Sequence, residues 1–295
     1  MMSDNQSGST RRLILETKGG SYSLFMREQG AANASAILFL HGFPTSSLDW
    51  THILPHLGEH RAIAPDLLGF GRSEKPGIRY SYPLQADLIS TLLEQLGIER
   101  VRVVAHDYAV TLAQELLTRE AKGAIPFRID RIVYLNGGVY ARLHRQRLIQ
   151  RILRTPMLGP IVARRMTSAS LRNALNAMAG EHDAWSEADA EAHWREIAHA
   201  DGLARLPQLL HYIVDRRRHG ATWESAMEAA ASRSAFVWGP AEPVSGAHML
   251  AEVRRRMPEA EVHELDGLGH YPHWEQPVRS AAAIRQALGA GQTEI

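Results

Sequence analysis

Short apolar runs alternate with amphipathic segments along most of the chain. Runs typical of buried strands lie at residues 35–40, 61–65, 101–105, 132–135, 235–238 and 262–265. Residues 84–96 and 111–117 carry apolar side chains at helical spacing, and Gly97 ends the first of these segments. Continuous apolar strands between helices indicate a parallel sheet that is covered on both faces. The pattern therefore predicts an α/β fold with a mostly parallel sheet, helices on both faces, and an antiparallel hairpin over residues 12–28 at one edge.

The alternation stops between Tyr140 and Trp223. Helical patterns occur there at residues 148–153, 161–165, 171–178 and 206–214, without a convincing strand. This predicts a helical cap at residues 141–225, inserted into a core made of residues 1–140 and 226–295. From Arg131 to Gly180 there is no Asp or Glu, while arginines recur throughout. Such a surface can be a membrane-facing or acid-binding face, but a solvated outer face in an arginine-rich chain is the favoured interpretation.

The composition excludes several classes of function and leaves the fold prediction unchanged. The 295 residues are 45% hydrophobic and 22% charged, as in an ordinary globular protein. A formal net charge of +1 argues against a dedicated nucleic-acid-binding protein, which usually carries a large basic excess. Because cysteine is absent, disulfides, thiolate metal sites and a cysteine nucleophile are excluded. The polar residues 1–12 lack the apolar stretch of a signal peptide, and no run approaches the ~18 apolar residues of a membrane helix, so we expect a cytoplasmic location.

The most informative segment runs from Val103 to Ala109, where an apolar strand enters a sharp turn and a helix follows at once. Asp107 stands at the apex, with alanine two positions before it and two after. Small residues at those positions are typical of a nucleophile elbow, because its strained turn brings strand and helix close together. The usual elbow nucleophile is serine, so the pattern predicts Asp107 in that role. The alternative is an aspartate that only caps the following helix.

A carboxylate nucleophile favours a particular class of substrate. A serine that attacked a saturated carbon would form an ether, which water does not readily cleave. A carboxylate that attacks the same carbon forms an alkyl ester, which water can then open. Asp107 therefore indicates substitution at a saturated carbon that bears a leaving group, as in epoxides and alkyl halides.

The loop after the strand at residues 35–40 is the predicted oxyanion hole. It carries the sequence HGFP at residues 41–44. In elbow enzymes one donor comes from this loop and the other from the residue after the nucleophile. The candidates are thus the backbone N–H groups of Phe43 and Tyr108, which would hold the negative oxygen formed when water attacks the ester. An ordinary His-Gly turn is the alternative, and the order of the motifs favours the functional interpretation.

A base and its partner acid are predicted near the C-terminal end of the sheet. His270 follows two glycines in the loop after the last strand, whereas His273 lacks preceding glycines and is the alternative. Glu242 stands just past the strand at residues 235–238, in the chain order of nucleophile, acid and histidine. Such an acid fixes the tautomer of the histidine and stabilises its charged form.

These motifs resemble the α/β-hydrolase superfamily over about residues 12–288. The resemblance rests on HGFP (41–44), DLLGFGRS (66–73), HDYA (106–109), GPAEPV (239–244) and GLGH (267–270), in that order. HDYA is similar to the aspartate-nucleophile branch, which contains epoxide hydrolases and haloalkane dehalogenases. Longer strings resemble the mesoderm-specific transcript group, which has no settled substrate: HGFPTSSLDW (41–50), LLGFGRSEKP (67–76), HDYAVTLAQELL (106–117), LNGGVY (135–140) and LLHYI (209–213).

The resemblance implies different reactions in different branches. Haloalkane dehalogenases usually hold the halide with a tryptophan after the nucleophile and a polar residue after His-Gly, where this chain has Tyr108 and Phe43. Fluoroacetate dehalogenases usually place arginine after the nucleophile. Epoxide hydrolases use cap tyrosines that donate to the epoxide oxygen, and Tyr212 resembles the later of these in placement. Tyr140 and His144 are candidates for the earlier one.

The family acid is usually aspartate, so Glu242 departs from the pattern while keeping the charge. The resemblance implies an epoxide hydrolase that takes a small apolar substrate and water and needs neither a metal nor an organic cofactor. Trp50 and Tyr140 are predicted to bind the substrate, and Trp185 is a further apolar candidate. Two alternatives stay open, namely haloalkane dehalogenation and a catalytically weak binding protein on the same scaffold.

Overall fold

The computed structural model describes residues 8–180 and 184–289. Residues 1–7, on which the signal-peptide argument partly rests, lie outside the described residues. The sheet has the strand order β1-β2-β4-β3-β5-β6-β7-β8. Its strands are Ser9–Thr17 (β1), Gly20–Gln29 (β2), Ala36–Leu40 (β3), Arg61–Pro65 (β4), Arg100–His106 (β5), Arg128–Leu135 (β6), Ser234–Trp238 (β7) and Glu261–Glu264 (β8).

The predicted α/β fold is confirmed. Strands β3 to β8 pair in parallel, while β1 pairs with β2 and β2 with β4 in antiparallel fashion. The register of the β1–β2 hairpin runs from Ser9 opposite Glu28 to Thr17 opposite Gly20. Strands β3, β4 and β7 are buried along their whole length, because both faces of the sheet are covered. The carboxyl ends of β3, β5, β6 and β7 therefore meet at one edge of the sheet.

The helices follow the order of the chain. They are Tyr82–Gln95 (α1), Tyr108–Ala121 (α2), Leu148–Leu153 (α3), Leu158–Arg165 (α4), Ser168–Asn176 (α5), Glu187–Ala198 (α6), Leu206–Leu209 (α7), Tyr212–Ala229 (α8), Ala247–Arg256 (α9), Pro272–Glu275 (α10) and Pro277–Ala287 (α11). Helix α1 begins where the Ser81 side chain accepts a hydrogen bond from the Leu84 N–H, and its last turn leads into Gly97 at φ +65°. None of the helices within residues 8–180 and 184–289 is both long and apolar enough to cross a bilayer.

Between β6 and β7 the described residues form helices and turns, from α3 to α8. The pattern at residues 206–214 becomes two helices, α7 and α8, and α8 continues to Ala229. The apolar spacing did not predict the full length of α8, because the helix buries the charged residues Asp215 and Arg216, which interrupt that spacing. Since α8 crosses residue 225, the predicted cap boundary falls inside a helix, and the division into core and cap stays a prediction.

Candidate active site

Asp107 occupies the turn between β5 and α2, with backbone angles of φ +47° and ψ −107°. This is a strained conformation for a residue with a side chain. Its neighbours leave almost no room, because a Cβ on Gly42 would lie 2.7 Å from the Asp107 Cβ and one on Gly137 would lie 2.8 Å from the Asp107 carbonyl oxygen. Ala105 and Ala109 are fully buried on either side. The aspartate accepts no side-chain capping bond from α2, in contrast to the alternative of a simple helix cap.

The two predicted oxyanion donors lie beside the Asp107 carboxylate. The Phe43 N–H donates to Oδ2 at 3.0 Å, and the Phe43–Pro44 peptide bond is cis. Burial raises the pKa of Asp107, whereas the charge of His270 and the N–H groups of Phe43 and Tyr108 lower it. Burial therefore favours the neutral form of the Asp107 carboxyl group, whereas the neighbouring charge and N–H donors favour its charged form.

His270 connects the two predicted acids. Its Nε2 lies 3.7 Å from Oδ1 of Asp107, and its Nδ1 lies 3.5 Å from Oε1 of Glu242. Burial lowers the pKa of His270, but the carboxylates of Glu242 and Asp107 outweigh it and raise the pKa above the ordinary value. The arrangement gives the ring one acid on each side, as a base and its orienting partner require.

Glu242 is buried in the loop after β7 and is held by its own neighbours. The backbone N–H groups of Val244 and Ser245 donate to its carboxylate at 2.8 and 2.5 Å, and the Ser245 hydroxyl also donates. Although burial raises the pKa of Glu242, the charge of His270 and these hydrogen bonds lower it to about 2. Glutamate therefore fits this position as an ionised group, despite its extra methylene.

Asn136 ties the elbow to the loop that carries Glu242, a role that the sequence did not reveal. Its Nδ2 donates to the Gly239 carbonyl and its Oδ1 accepts from the Gly239 N–H, both at 2.7 Å. Its own carbonyl accepts the Asp107 N–H at 3.0 Å. The only signal in the sequence was the polar residue directly after β6, in a loop without a carboxylate.

Glu275 organises the loop that carries His270. Its carboxylate accepts the N–H groups of Gly269 at 2.9 Å, Tyr271 at 3.2 Å and Gly180 at 2.8 Å. The His270 N–H in turn donates to the Met178 carbonyl at 2.8 Å. The loop is thus fastened to the segment after α5 by the backbone bond of His270 and by the Glu275 carboxylate, which binds the Gly180 N–H.

Exchanging this carboxylate for an amide is expected to destabilise the chain. In Glu275→Gln, one of the two acceptor oxygens becomes an NH2 group that faces backbone N–H donors, which costs about 1–3 kcal/mol. Urea unfolding measures the loss. The matched control is Glu259→Gln, since Glu259 is exposed and its exchange should stay within about 0.5 kcal/mol. Equal stability of the two variants would show that the Glu275 contacts contribute nothing.

A mainly apolar cavity lies above the elbow. Its polar lining side chains include Asp107, His144, Gln150 and His270. The apolar lining comes from the HGFP loop, from the helices between β6 and β7, and from Val244: Phe43, Pro44, Ile149, Leu153, Met166, Leu171, Ala174, Leu175, Met178, Leu206 and Val244. A cavity with few polar groups in an apolar wall is typical of a site for a small apolar ligand.

Tyr212 begins helix α8 and is buried, and it is not among the residues that line the cavity. Its hydroxyl accepts a hydrogen bond from Gln150 Nε2 at 3.4 Å, and its ring lies 5.3 Å from that of Tyr108 and 6.3 Å from that of Phe43. Burial, followed by the charge of Asp107, raises the pKa of Tyr212. The phenol therefore stays protonated, and it lies close enough to Asp107 for the charge of that carboxylate to raise its pKa.

The structure does not bring Trp50, Tyr140 or Trp185 to the cavity lining. Trp50 is fully buried and stacks on His273 at 4.7 Å. Tyr140 packs under the Arg256 guanidinium at 4.9 Å. Trp185 stacks on Trp274 at 4.7 Å. His144, the other candidate for the second donor, does line the cavity, and burial together with Arg216 lowers its pKa to about 3.

Asp49, His106 and His273 form a buried cluster whose ligand atoms lie within 4.8 Å of one another. Asp49 already accepts a hydrogen bond from Thr45 at 2.5 Å and faces His193 Nε2 at 3.2 Å, while His106 Nε2 lies 2.8 Å from the His270 carbonyl. Burial lowers the pKa values of His106 and His273, so both rings are neutral. Asp49 and His106 thus make hydrogen bonds, whereas both ring nitrogens of His273 have no hydrogen-bond partner among the described residues and its ring stacks on Trp50 at 4.7 Å. We assign this cluster a packing role behind the site.

A family model described as the alpha/beta hydrolase family matches residues 37–283. The chain belongs to this family. Curated relatives agree over most of the length. The protein named "Putative hydrolase LipZ" from Mycobacterium tuberculosis is 37% identical over 267 residues, which are 90% of this chain and 92% of its own. The mesoderm-specific transcript homolog protein of Bos taurus is 36% identical over 251 residues, 82% of this chain and 75% of its own. The resemblance seen in the sequence is thereby confirmed.

Solved alpha/beta hydrolase structures share the fold. Haloalkane dehalogenase DbeA from Bradyrhizobium elkani superposes with a TM-score of 0.76 at 24% identity, over 96% of this chain and 98% of its own. Epoxide hydrolase CorEH superposes with a TM-score of 0.74 at 19% identity, over 96% of this chain and all of its own. At these identities the likeness concerns the fold alone. Asp107, Glu242, His270 and Tyr212 stay candidates on that scaffold.

Proposed function

We propose that this alpha/beta hydrolase is an epoxide hydrolase, which opens an apolar epoxide to a diol through an ester on Asp107. The observation that carries the proposal is the state of the Asp107 carboxylate. Its Oδ2 is held by the Phe43 N–H, whereas its Oδ1 faces His270 across 3.7 Å at the floor of the apolar cavity. One oxygen is thus positioned by the backbone while the other is left to react.

In the first step, Oδ1 of Asp107 attacks the less hindered epoxide carbon and forms a C–O bond to it. The bond between that carbon and the epoxide oxygen breaks, and its electron pair goes to the oxygen. The Tyr212 hydroxyl donates its proton to this oxygen. Because the pKa of Tyr212 is raised by burial, the phenol is fully protonated before the step, and the proton lowers the cost of the leaving alkoxide.

In the second step, His270 removes a proton from water, and the resulting hydroxide adds to the ester carbonyl of Asp107. The N–H groups of Phe43 and Tyr108 hold the oxyanion. The intermediate collapses and expels the diol oxygen with its electron pair. This oxygen takes the proton of the new Asp107 carboxyl group, which becomes a carboxylate again, and the proton on His270 returns through water to the Tyr212 phenolate. Esterification removes the Asp107 charge, one of the three carboxylate charges that raise the pKa of His270, so ester formation itself favours the neutral ring that acts as the base.

The residues that face the elbow favour an epoxide over a halide. The Tyr108 ring packs 4.7 Å from Tyr82 and 5.4 Å from Phe70, and the Phe43 side chain carries no donor, so neither offers an N–H to a leaving halide. Tyr212 and His144 instead offer protons, which an epoxide oxygen needs. His144 has a pKa of about 3, so its neutral ring presents one N–H, and we assign it as the second donor.

The proposal is tested with a panel of terminal epoxides and matched bromoalkanes in water enriched in 18O. With enzyme in excess, the first diol formed is expected to carry no label, because its new oxygen comes from Asp107. Diol formed over many turnovers is expected to carry one labelled oxygen. Label in the first diol would indicate direct attack by water, and bromide release without any diol would favour dehalogenation.

Removing the Tyr212 hydroxyl is expected to lower kcat/KM for epoxides by about 10- to 100-fold, since a positioned general acid contributes roughly 10²-fold or more and His144 remains. The variant is Tyr212→Phe. Tyr140→Phe is the matched control, because Tyr140 is an equally buried tyrosine away from the cavity. Steady-state diol formation measures both. If the two variants behave alike, Tyr212 does not donate to the epoxide.

Neutralising the acid beside His270 is expected to move the acid limb of the pH profile. The base must be neutral, so turnover falls as the pH drops below the pKa of His270. The Glu242 carboxylate raises that pKa. Glu242→Gln should therefore lower it and shift the limb to lower pH, with a maximum rate that is reduced because the ring is less well oriented. Profiles of kcat between pH 4.5 and 9 measure the shift. A limb that moved upward or stayed in place would contradict the assignment of Glu242.

A further inference from the structure

Exposed apolar side chains are concentrated on the outer side of helices α3 and α4. Leu148, Met157, Leu158 and Ile161 are 70%, 85%, 57% and 50% exposed. Within the described part of the chain, the other large hydrophobic residues with such exposure are Ile14 and Val278, which stand apart in the sequence. Scattered exposed apolar residues are ordinary, but a group of them marks an interaction site.

The charged residues within the segment that carries this group have one sign. Arg151, Arg164 and Arg165 are exposed on the same two helices, and no Asp or Glu occurs between Arg131 and Gly180. Elsewhere the exposed arginines are commonly neutralised, as Arg255 is by Glu252. The three arginines of α3 and α4 have no carboxylate partner among residues 8–180 and 184–289. We call the four apolar residues and these three arginines the α3–α4 face.

Helices α3 and α4 are packed tightly together, so the residues of the face lie on two neighbouring helices. A Cβ on Gly159 would lie 2.1 Å from the Leu153 carbonyl oxygen, which shows how closely the start of α4 approaches the end of α3. The inner side of the same segment contributes Ile149, Gln150 and Leu153 to the cavity wall. The outer apolar residues are therefore surplus to the core that these helices already bury.

We propose that the α3–α4 face docks on the surface of an anionic lipid bilayer. Flexible aliphatic and thioether side chains between unpaired arginines are the composition that inserts into the headgroup region while the cations meet acidic lipids. The core of a protein–protein interface is enriched in aromatic residues as well as in Met and Arg, and the face contains no Tyr, Trp or Phe. A negatively charged membrane surface is thus favoured over an acidic protein partner.

The test is co-sedimentation with vesicles of phosphatidylcholine alone and of phosphatidylcholine with 30% phosphatidylglycerol. The wild-type chain is expected to bind the anionic vesicles and to be released by high salt. Arg164→Gln/Arg165→Gln should bind them about 30-fold more weakly, since each arginine near such a surface contributes about one factor of five. Met157→Ser/Leu158→Ser should lose at least about tenfold. Binding is read without any turnover, so the outcome is independent of the proposed hydrolase activity.

Two matched control variants test whether vesicle binding depends on the α3–α4 face in particular. Ile14→Ser/Val278→Ser removes exposed apolar side chains elsewhere, and Arg217→Gln/Arg218→Gln removes exposed arginines from α8; both should bind as the wild type does. Thermal unfolding checks that all variants are folded. No binding to anionic vesicles, equal binding to neutral ones, or equal losses in the control variants would each overturn the proposal. Binding to polyglutamate but not to vesicles would replace the membrane with an acidic protein partner.

Discussion

Replacing Asp107 with alanine is expected to lower kcat/KM for epoxides by about 10⁴-fold or more and to leave the chain at least as stable as the wild type. The loss follows because the ester cannot form without the carboxylate, and triad members act as a unit. Stability is retained because the substitution removes a buried carboxylate whose pKa is raised by desolvation, and this gain offsets the loss of its hydrogen bond from the Phe43 N–H. Diol formation and thermal unfolding measure the two parts.

A second buried aspartate supplies the contrast. Asp66 accepts the Ser47 N–H at 2.8 Å and the Arg72 N–H at 2.7 Å, and it holds its loops together. Asp66→Ala leaves those N–H groups without an acceptor, so it should cost about 1–3 kcal/mol and lower the melting temperature by several degrees. If Asp107→Ala lost stability to the same extent, its loss of activity would indicate a structural role rather than a reacting carboxylate.

The elbow was predictable because its requirements are local. A turn at positive φ between a strand and a helix needs small residues on both flanks, and Ala105 and Ala109 are visible in the sequence as such. The close approach of the neighbouring loops likewise needs Gly42 and Gly137, where a Cβ would collide with Asp107. The residue types at fixed spacing therefore predicted the backbone geometry of the candidate site, and the apolar runs predicted the parallel sheet beneath it.

The surroundings of the elbow were not predictable in the same way. Trp50 and Tyr140 were expected at the substrate, but the direction of an aromatic side chain depends on which face of the fold it packs against, and both rings point into packed regions instead. Glu275 escaped notice because its partner Gly180 lies 95 positions away in the sequence. Such contacts form only when segments that are distant in the sequence meet in the fold, so no local sequence pattern predicts them.

Replacing His270 with glutamine is expected to trap the ester that the mechanism requires. The first step needs the Asp107 carboxylate and a proton donor, both of which remain in His270→Gln, whereas the second step loses its base. Steady-state turnover should fall by about 10⁴-fold or more, and the chain should accumulate as a stoichiometric adduct. Intact mass measurement then separates the substrates by their atom balance. An opened epoxide adds its entire mass to the chain, while an alkyl halide adds its alkyl group and loses both the halide and the proton it replaces.

The position of the adduct decides whether Asp107 is the nucleophile. Digestion should place the added mass on the peptide that contains Asp107, and the double variant Asp107→Ala/His270→Gln should remain unmodified under the same conditions. Because Oδ1 of Asp107 lies 3.7 Å from His270 Nε2, loss of the imidazole removes the base that lies beside the ester. An adduct on any other peptide, or a wild-type rate in His270→Gln, would show that the reaction does not pass through these two residues.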